Sequence, residues 1–189
     1  MLSHWGTRFE ELDIDTSFGQ THVIASGPLD GPPIVLLHAY FATAASWYRT
    51  AGALSETYRT FAVDVLGEPN KSRPVRPIRS LDDYGQWFTQ LADGLGLTQL
   101  HIVGNSMGGF GASYLAMHLA GRIRRLALIS PAATFHKIIP FYTHLFFPRR
   151  FICSCPGCPA CTQRCAGWST GFTPGFPRTA PGPTCSISR

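Results

Sequence analysis

Short apolar runs alternate with stretches of helical periodicity, and this alternation restricts the possible folds more than any other feature of the sequence. The strand-like segments are residues 34–37, which are entirely apolar, and residues 61–65, 101–103 and 126–130, each of which includes one polar residue. The helical patterns cover residues 81–95 and 107–120. Continuous apolar runs of this length are typical of strands that are buried on both faces of a parallel sheet. The pattern therefore predicts an α/β fold, in which a mostly parallel sheet carries helices on its faces and the connections are right-handed.

Two local patterns refine this prediction. Residues 8–14 and 21–26 are expected to form a hairpin around the turn Ser17-Phe18-Gly19. Ser80 precedes a helical pattern and is followed three residues later by Asp83, a pair that can satisfy two amide donors at a helix start reciprocally. The sequence thus predicts a helix that begins directly after Ser80.

The composition changes near residue 150. The chain has 189 residues, 44% of them hydrophobic, which is enough for one buried core. Residues 151–189 are mainly Cys, Pro, Gly, Ser and Thr and contain all 6 cysteines, a composition typical of low-complexity sequence. We predict one domain over residues 1–150, followed by a disordered Cys/Pro/Gly-rich tail over residues 151–189.

Charge and hydropathy exclude several classes of function. All 11 acidic residues lie at or before Asp93, so the net charge of +5 reflects missing acids rather than clustered Lys and Arg. This distribution argues against a nucleic-acid partner. We also expect no membrane partner and a cytoplasmic location, because the sequence shows neither a spanning run of apolar residues nor the apolar region of a signal peptide.

The segment Gly104-Asn105-Ser106-Met107-Gly108-Gly109 follows a predicted strand and opens a predicted helix. This is the context of the G-x-S-x-G nucleophile elbow, a tight turn that exposes a serine hydroxyl at the edge of a sheet. The flanking glycines, Gly104 and Gly108, are needed because side chains there would clash with the turn. Ser106 is the candidate nucleophile, and the backbone amide of Met107 is a candidate oxyanion donor at the helix N-terminus.

Three motifs together make the chain resemble the α/β-hydrolase family. Besides the elbow, residues 36–41 (Leu-Leu-His-Ala-Tyr-Phe) are similar to the family's His-Gly segment after its third strand, with Ala39 in place of the usual glycine. Residues 64–72 are similar to its Asp-x-x-Gly-x-x-x-x-Ser loop, and the resemblance extends over roughly residues 8–147. It implies that the amide of Tyr40 is the second oxyanion donor and that His38 and Asp64 are structural or site-shaping residues.

The partners of the candidate nucleophile are harder to find. A serine hydroxyl needs a base and an acid that orients the base, and in this family they follow the serine in the order acid, then histidine. No acid follows Asp93; His118 lies on the helix after the elbow, and His136 and His144 lie where the family places its cap. We therefore expect that the coding sequence is truncated or frame-shifted after about residue 150, that the acid and histidine of the triad are not identifiable in this chain, and that the chain is inactive in this truncated form.

The cysteine spacing in the tail permits another interpretation. Cys155, Cys158, Cys161 and Cys165 have the spacing of a bacterial ferredoxin iron–sulfur run, and four thiolates also suit zinc. A second cysteine run is missing and Ala166 stands where proline is typical. We favour a tail without a metal over zinc, an iron–sulfur cluster or disulfides.

These observations lead to a definite functional prediction. The Ser-Met-Gly-Gly form of the elbow is most similar to that of carboxylesterases, which implies a serine hydrolase that cleaves small-molecule carboxylic esters without a metal or cofactor. The alternatives are a catalytically inactive hydrolase-like fragment, or a tail that binds zinc or an iron–sulfur cluster.

Overall fold

The computed structural model describes residues 2–133, and these residues form a mixed sheet with helices on both faces. The strands are β1 (Phe9–Thr16), β2 (Gly19–Ser26), β3 (Pro33–Leu37), β4 (Arg59–Val63), β5 (Arg73–Pro74), β6 (Leu100–Asn105) and β7 (Ile123–Ile129). The helices are α1 (Tyr48–Leu54), α2 (Leu81–Gly94) and α3 (Met107–His118), with 3-10 turns at Leu2–His4 and Ala44–Trp47.

The strand order within the described residues is β1-β2-β4-β3-β6-β7, with the short β5 paired to β2. The pairings β3 with β4, β3 with β6 and β6 with β7 are parallel, whereas β1 with β2, β2 with β4 and β2 with β5 are antiparallel. The predicted parallel sheet is therefore confirmed for four strands. The predicted hairpin is confirmed: β1 and β2 pair antiparallel, at the end of the strand order opposite to β7.

The two faces of the sheet carry separate apolar clusters, because successive side chains of a strand point to opposite faces. One cluster joins strand residues such as Val35 and Leu37 to Trp87 and Phe88 of α2 and Leu115 of α3. The other joins strand residues that alternate with these to the segment Ala44–Trp47, α1 and Trp5. Helices α2 and α3 thus cover one face and α1 covers the other.

The start of α2 agrees with the prediction in one of its two contacts. The Ser80 hydroxyl accepts a hydrogen bond from the Asp83 amide at 3.0 Å, as expected for an N-cap. The Asp83 carboxylate, however, accepts from the Arg79 amide at 2.9 Å instead of from the Ser80 amide. The Asp83 carboxylate therefore binds the amide of Arg79, the residue before the N-cap.

Because β3, β4, β6 and β7 are parallel, their carboxyl ends meet at one edge of the sheet. We call this the carboxyl edge; it comprises the segments 38–43, 64–72, 106–108 and 130–133, which directly follow these strands. Ligands of parallel α/β sheets bind at such an edge. The predicted boundary near residue 150 and the predictions for the tail, its cysteines, His136 and His144 lie outside the described residues.

Candidate active site

Ser106 occupies a sharp turn between β6 and α3. Its backbone has φ 53° and ψ −112°, a region that residues with a side chain rarely adopt, and the residue is half-buried. Met107 is the first residue of α3. Since the first amides of a helix have no partner inside the helix, the turn presents both a serine hydroxyl and amide donors at one place.

The turn is possible because glycines let three backbone segments approach each other closely. A Cβ added at Gly108 would lie within 3.0 Å of the carbonyl oxygens of Leu37 and His38, at the end of β3. A Cβ added at Gly104 would lie equally close to the backbone of Gly108. These two glycines therefore determine how near the start of α3 lies to the end of β3.

Backbone hydrogen bonds from the neighbouring strand hold the strained residue in place. The Ser106 amide donates to the Ile129 carbonyl at the end of β7 at 2.9 Å. The Ser106 carbonyl accepts from the Ala132 amide at 2.9 Å and from the Phe110 amide at 3.1 Å. The conformation of the serine is thus imposed by β7 and the segment after it, as is typical of strained residues in functional sites.

Tyr40 lies in the segment that follows β3, next to the elbow. In the parallel pairing of β3 with β6, Leu37 is opposite Gly104. Tyr40 comes three residues after Leu37 and Ser106 two residues after Gly104, so both lie at the same edge of the sheet. The Ala42 amide donates to the Ala39 carbonyl at 3.0 Å, which closes a turn with Tyr40 and Phe41 in its centre. The structure therefore brings the segments of Ser106, Met107 and Tyr40 together at the carboxyl edge.

His38 is fully engaged by the backbone around it. Its Nδ1 is 2.8 Å from the Ala39 carbonyl oxygen, and its Nε2 accepts from the Val65 amide at 3.1 Å. Burial lowers the pKa of this imidazole, while the Ala39 carbonyl and the charge of Asp64 act against that shift. A neutral ring with its proton on Nδ1 fits both contacts. His38 thus links the segments after β3 and β4, consistent with a structural residue.

Asp64 lies in a buried cluster that the sequence did not reveal. Its carboxylate accepts from the Ala44 amide at 2.6 Å and is 2.8 Å from Nδ1 of His22, whose Nε2 is 2.8 Å from Glu11. Burial opposes ionisation of Asp64, but the hydrogen bonds from His22 and Ala44 dominate and lower its pKa. The hydrogen bond to Asp64 raises the pKa of His22 despite its burial.

Other histidines are likewise engaged away from the elbow. The exposed His118 stacks on Tyr114, with ring centroids 4.0 Å apart, and its Nδ1 is 2.9 Å from the Tyr114 carbonyl oxygen. His101 on β6 makes an edge contact with the ring of Tyr58, and burial lowers its pKa. In these contacts neither His118 nor His101 meets Ser106, and the absence of an identifiable base stays a prediction.

Glu68 is a residue at the carboxyl edge that sequence reasoning missed. It is half-buried, and its Oε2 accepts from the Phe41 amide at 2.9 Å. Burial, aided by the negative charge of Asp64, raises its pKa to about 7, although the hydrogen bond from Phe41 acts in the opposite direction. An acid in the loop after β4 was the available signal, but the sequence does not show what it contacts.

Within residues 2–133, no group of three or more acidic, His or Cys side chains is arranged to hold a metal ion. Over the same range, every helix is too short or too polar to cross a membrane.

Comparison with known proteins places this arrangement in a family. Residues 32–148 match the alpha/beta hydrolase fold family. The chain belongs to this family. Membership confirms the predicted fold class and the resemblance drawn from the elbow and its two accompanying motifs.

Similar proteins of the alpha/beta hydrolase fold family include two from Bacillus subtilis (strain 168). The chain is 41% identical over 146 residues to the uncharacterized carboxylesterase nap, covering 77% of this chain and 47% of that protein. It is 38% identical over 139 residues to carboxylesterase YbfK, covering 74% of this chain and 47% of that protein. The crystal structure of naproxen esterase from B. subtilis superimposes with a TM-score of 0.73 at 40% identity, covering 77% of this chain and 51% of that one.

The chain thus spans about half the length of the curated relatives that it matches. The roles predicted for Ser106, Met107, Tyr40, Gly104 and Gly108 stay predictions, because membership in the family does not itself assign them.

Proposed function

We propose that this chain carries the nucleophile and the oxyanion-hole donors of a serine esterase that acts on small-molecule carboxylic esters. The observation that carries the proposal is the strained conformation of Ser106 at the start of α3, between Gly104 and Gly108. Strain at a serine beside amides that have no partner within the helix suits a reactive nucleophile. Two relatives that are named carboxylesterases support the choice of esters over other acyl compounds.

In the proposed reaction, the Ser106 hydroxyl oxygen attacks the carbonyl carbon of the ester while a base takes its proton. The carbonyl π electrons move to oxygen, and the amides of Met107 and Tyr40 donate hydrogen bonds to this oxyanion. The tetrahedral intermediate then expels the alkoxide, which recovers the proton from the base. Water hydrolyses the acyl-enzyme by the same steps in a second round. The proposed mechanism uses no metal or cofactor.

The decisive experiment compares ester turnover by the 189-residue chain and two serine variants. Turnover of a short-chain p-nitrophenyl ester by the wild type but not by Ser106→Ala would support the proposal, and it would contradict the expectation that a chain without an identifiable triad acid and histidine is inactive. Ser113→Ala is the matched control, because it removes a serine hydroxyl from the same helix. The Ser113 hydroxyl donates to the Gly109 carbonyl one turn earlier in α3. Equal rates for Ser106→Ala and the wild type would contradict the assignment of the nucleophile. A wild type without turnover would instead favour the inactive-fragment alternative.

We further propose that the hydrolase domain extends over residues 1–150 and that residues 151–189 form a separate tail. Limited proteolysis followed by mass spectrometry tests this division, because cuts should then concentrate beyond residue 150. A cytoplasmic location and the absence of nucleic-acid and membrane partners stay predictions that cell fractionation can test.

A further inference from the structure

The turn that carries Tyr40 contains a residue in an unfavourable conformation. Phe41 has φ 59°, in the left-handed region that bulky residues rarely adopt. It occupies the third position of the turn closed by Ala39 and Ala42, where a positive φ is normally supplied by glycine. Phe41 is 59% exposed, so burial of this residue does little to compensate for its conformation.

A side chain from another segment of the carboxyl edge holds this turn. Glu68, in the loop after β4, accepts a hydrogen bond from the Phe41 amide at 2.9 Å. That amide belongs to the peptide unit that joins Tyr40 to Phe41, so its direction and the direction of the Tyr40 amide are coupled through the backbone of Tyr40. Fixing one peptide plane of a tight turn fixes the next.

We propose that Glu68 is a positioning residue of the oxyanion hole. By accepting a hydrogen bond from the Phe41 amide, it holds the turn at Ala39–Ala42 and so sets the direction of the Tyr40 amide. This inference rests on the proposed function, since the Tyr40 amide is an oxyanion donor only in an acyl-transfer reaction. Glu68 acts through the backbone and does not contact the reacting atoms.

The protonation of Glu68 supplies a second way to observe this contact. Burial and the nearby Asp64 raise its pKa to about 7, and the Phe41 amide opposes that rise. Among residues 2–133, Tyr84 of α2 also interacts electrostatically with Glu68, and its own pKa is raised by burial and by the charge of Glu68. Because a carboxylate accepts a stronger hydrogen bond than a neutral carboxyl group, the turn is held more firmly above this pH than below it.

The first experiment follows the Phe41 amide of the full chain by ¹⁵N NMR from about pH 5 to about pH 9. We expect its resonance to titrate with a midpoint near the pKa of Glu68, about 7, in the wild type, and to lose this titration in Glu68→Gln. Glu56→Gln is the control, because Glu56 is an exposed acid remote from this turn in the chain. A Phe41 resonance that does not titrate in the wild type would overturn the inference.

The second experiment measures ester hydrolysis by Glu68→Ala and Glu68→Gln. Misdirection of one oxyanion donor should lower kcat roughly tenfold in the alanine variant with little change in KM. The glutamine variant keeps an acceptor oxygen, so we expect it to retain kcat within about threefold and to show a weaker dependence on pH. An alanine variant with wild-type kcat would overturn the inference even if the NMR titration is observed.

The two readouts separate the possible failures. Absence of ester turnover in the wild type would favour the inactive-fragment alternative and refute the catalytic consequence of Glu68, while the NMR titration would still test the contact of Glu68 with Phe41. A missing NMR titration in a chain that still hydrolyses esters would refute the role of Glu68 alone.

Discussion

The strained conformation of Ser106 leads to a prediction about stability as well as reactivity. At φ 53° and ψ −112° the Cβ of the serine is responsible for the strain, because glycine adopts positive φ without this penalty. We therefore expect Ser106→Gly to be more stable than Ser106→Ala. The alanine variant is the proper reference because it also lacks the hydroxyl but retains the strained Cβ.

The expected difference follows from two opposing effects. A residue in a sparsely populated backbone region costs about 1–3 kcal/mol, which glycine would relieve. Glycine also gives the unfolded chain more conformational freedom, which destabilises the folded state by about 0.5–1 kcal/mol. The net gain is about 0–2.5 kcal/mol, with a middle value of about 1 kcal/mol. At about 2–4 °C for each kcal/mol in a chain of this size, the middle value corresponds to a rise in melting temperature of about 2–4 °C.

Urea unfolding followed by circular dichroism, with a thermal scan, would measure this difference between the two variants. The strain argument would be refuted if the glycine variant were less stable than the alanine variant at unchanged m-value. A change in m would instead indicate that the unfolded state had been altered.

The other predictions concern the packing and the charges around the site. Gly108→Ala should lower the free energy of unfolding by about 1–3 kcal/mol, because its Cβ would clash with the carbonyl oxygens at the end of β3. Gly121→Ala is the control: nothing lies within 4 Å of its Cβ, so the same urea assay should show a change of less than about 0.5 kcal/mol. His22→Ala should cost about 3–5 kcal/mol, since it removes the imidazole from the buried carboxylate of Asp64. Because the pKa of His22 is raised, its contribution is complete below its unfolded pKa and is lost as pH rises through the folded pKa, which thermal scans in a pH series would detect. For Glu68 the raised pKa means that the folded state binds the proton more tightly, so wild-type stability should fall as the pH rises from 4.5, the ordinary pKa of a glutamate side chain, to about 7. The fall should be at most about 3 kcal/mol, and less where solvent screens the group, while Glu68→Gln should show no such fall in urea titrations across that range.

The main elements of the fold were predictable because each leaves a local pattern in the sequence. Strands β3 and β4 are mainly apolar and buried, since helices cover both faces of the sheet there. Strand β7 is also mainly apolar, but most of its residues are exposed in the described part of the chain, so the expected burial on both faces is wrong for this strand. Helix α2 begins after Ser80 because a hydroxyl at that position satisfies an amide that the helix cannot. The elbow was predictable for a related reason: close backbone approach permits only glycine at Gly104 and Gly108.

The contacts that hold the site together were not predictable, because they join segments that are distant in sequence. His22 contacts Asp64 across 42 positions, and Glu68 contacts Phe41 across 27. Such pairs depend on strand order and register, which apolar patterns do not specify. Even at the start of α2, the sequence does not show which backbone amide donates to the Asp83 carboxylate. The donor is the Arg79 amide rather than the Ser80 amide.

Backbone strain locates the site independently of the G-x-S-x-G pattern. Within residues 2–133, positive φ at residues other than glycine occurs at Phe41, Ser106, Ser130 and Ala133. All four lie at the carboxyl edge, after β3, β6 or β7, whereas turns such as the one at Gly96 use glycine, which adopts positive φ without strain. If these conformations were needed only to turn the chain, glycine would serve equally well at each of them. Because side chains are retained there at a cost to stability, and because the surrounding strands impose the conformations, the distribution of strain favours the carboxyl edge as the place where this domain binds its ligand.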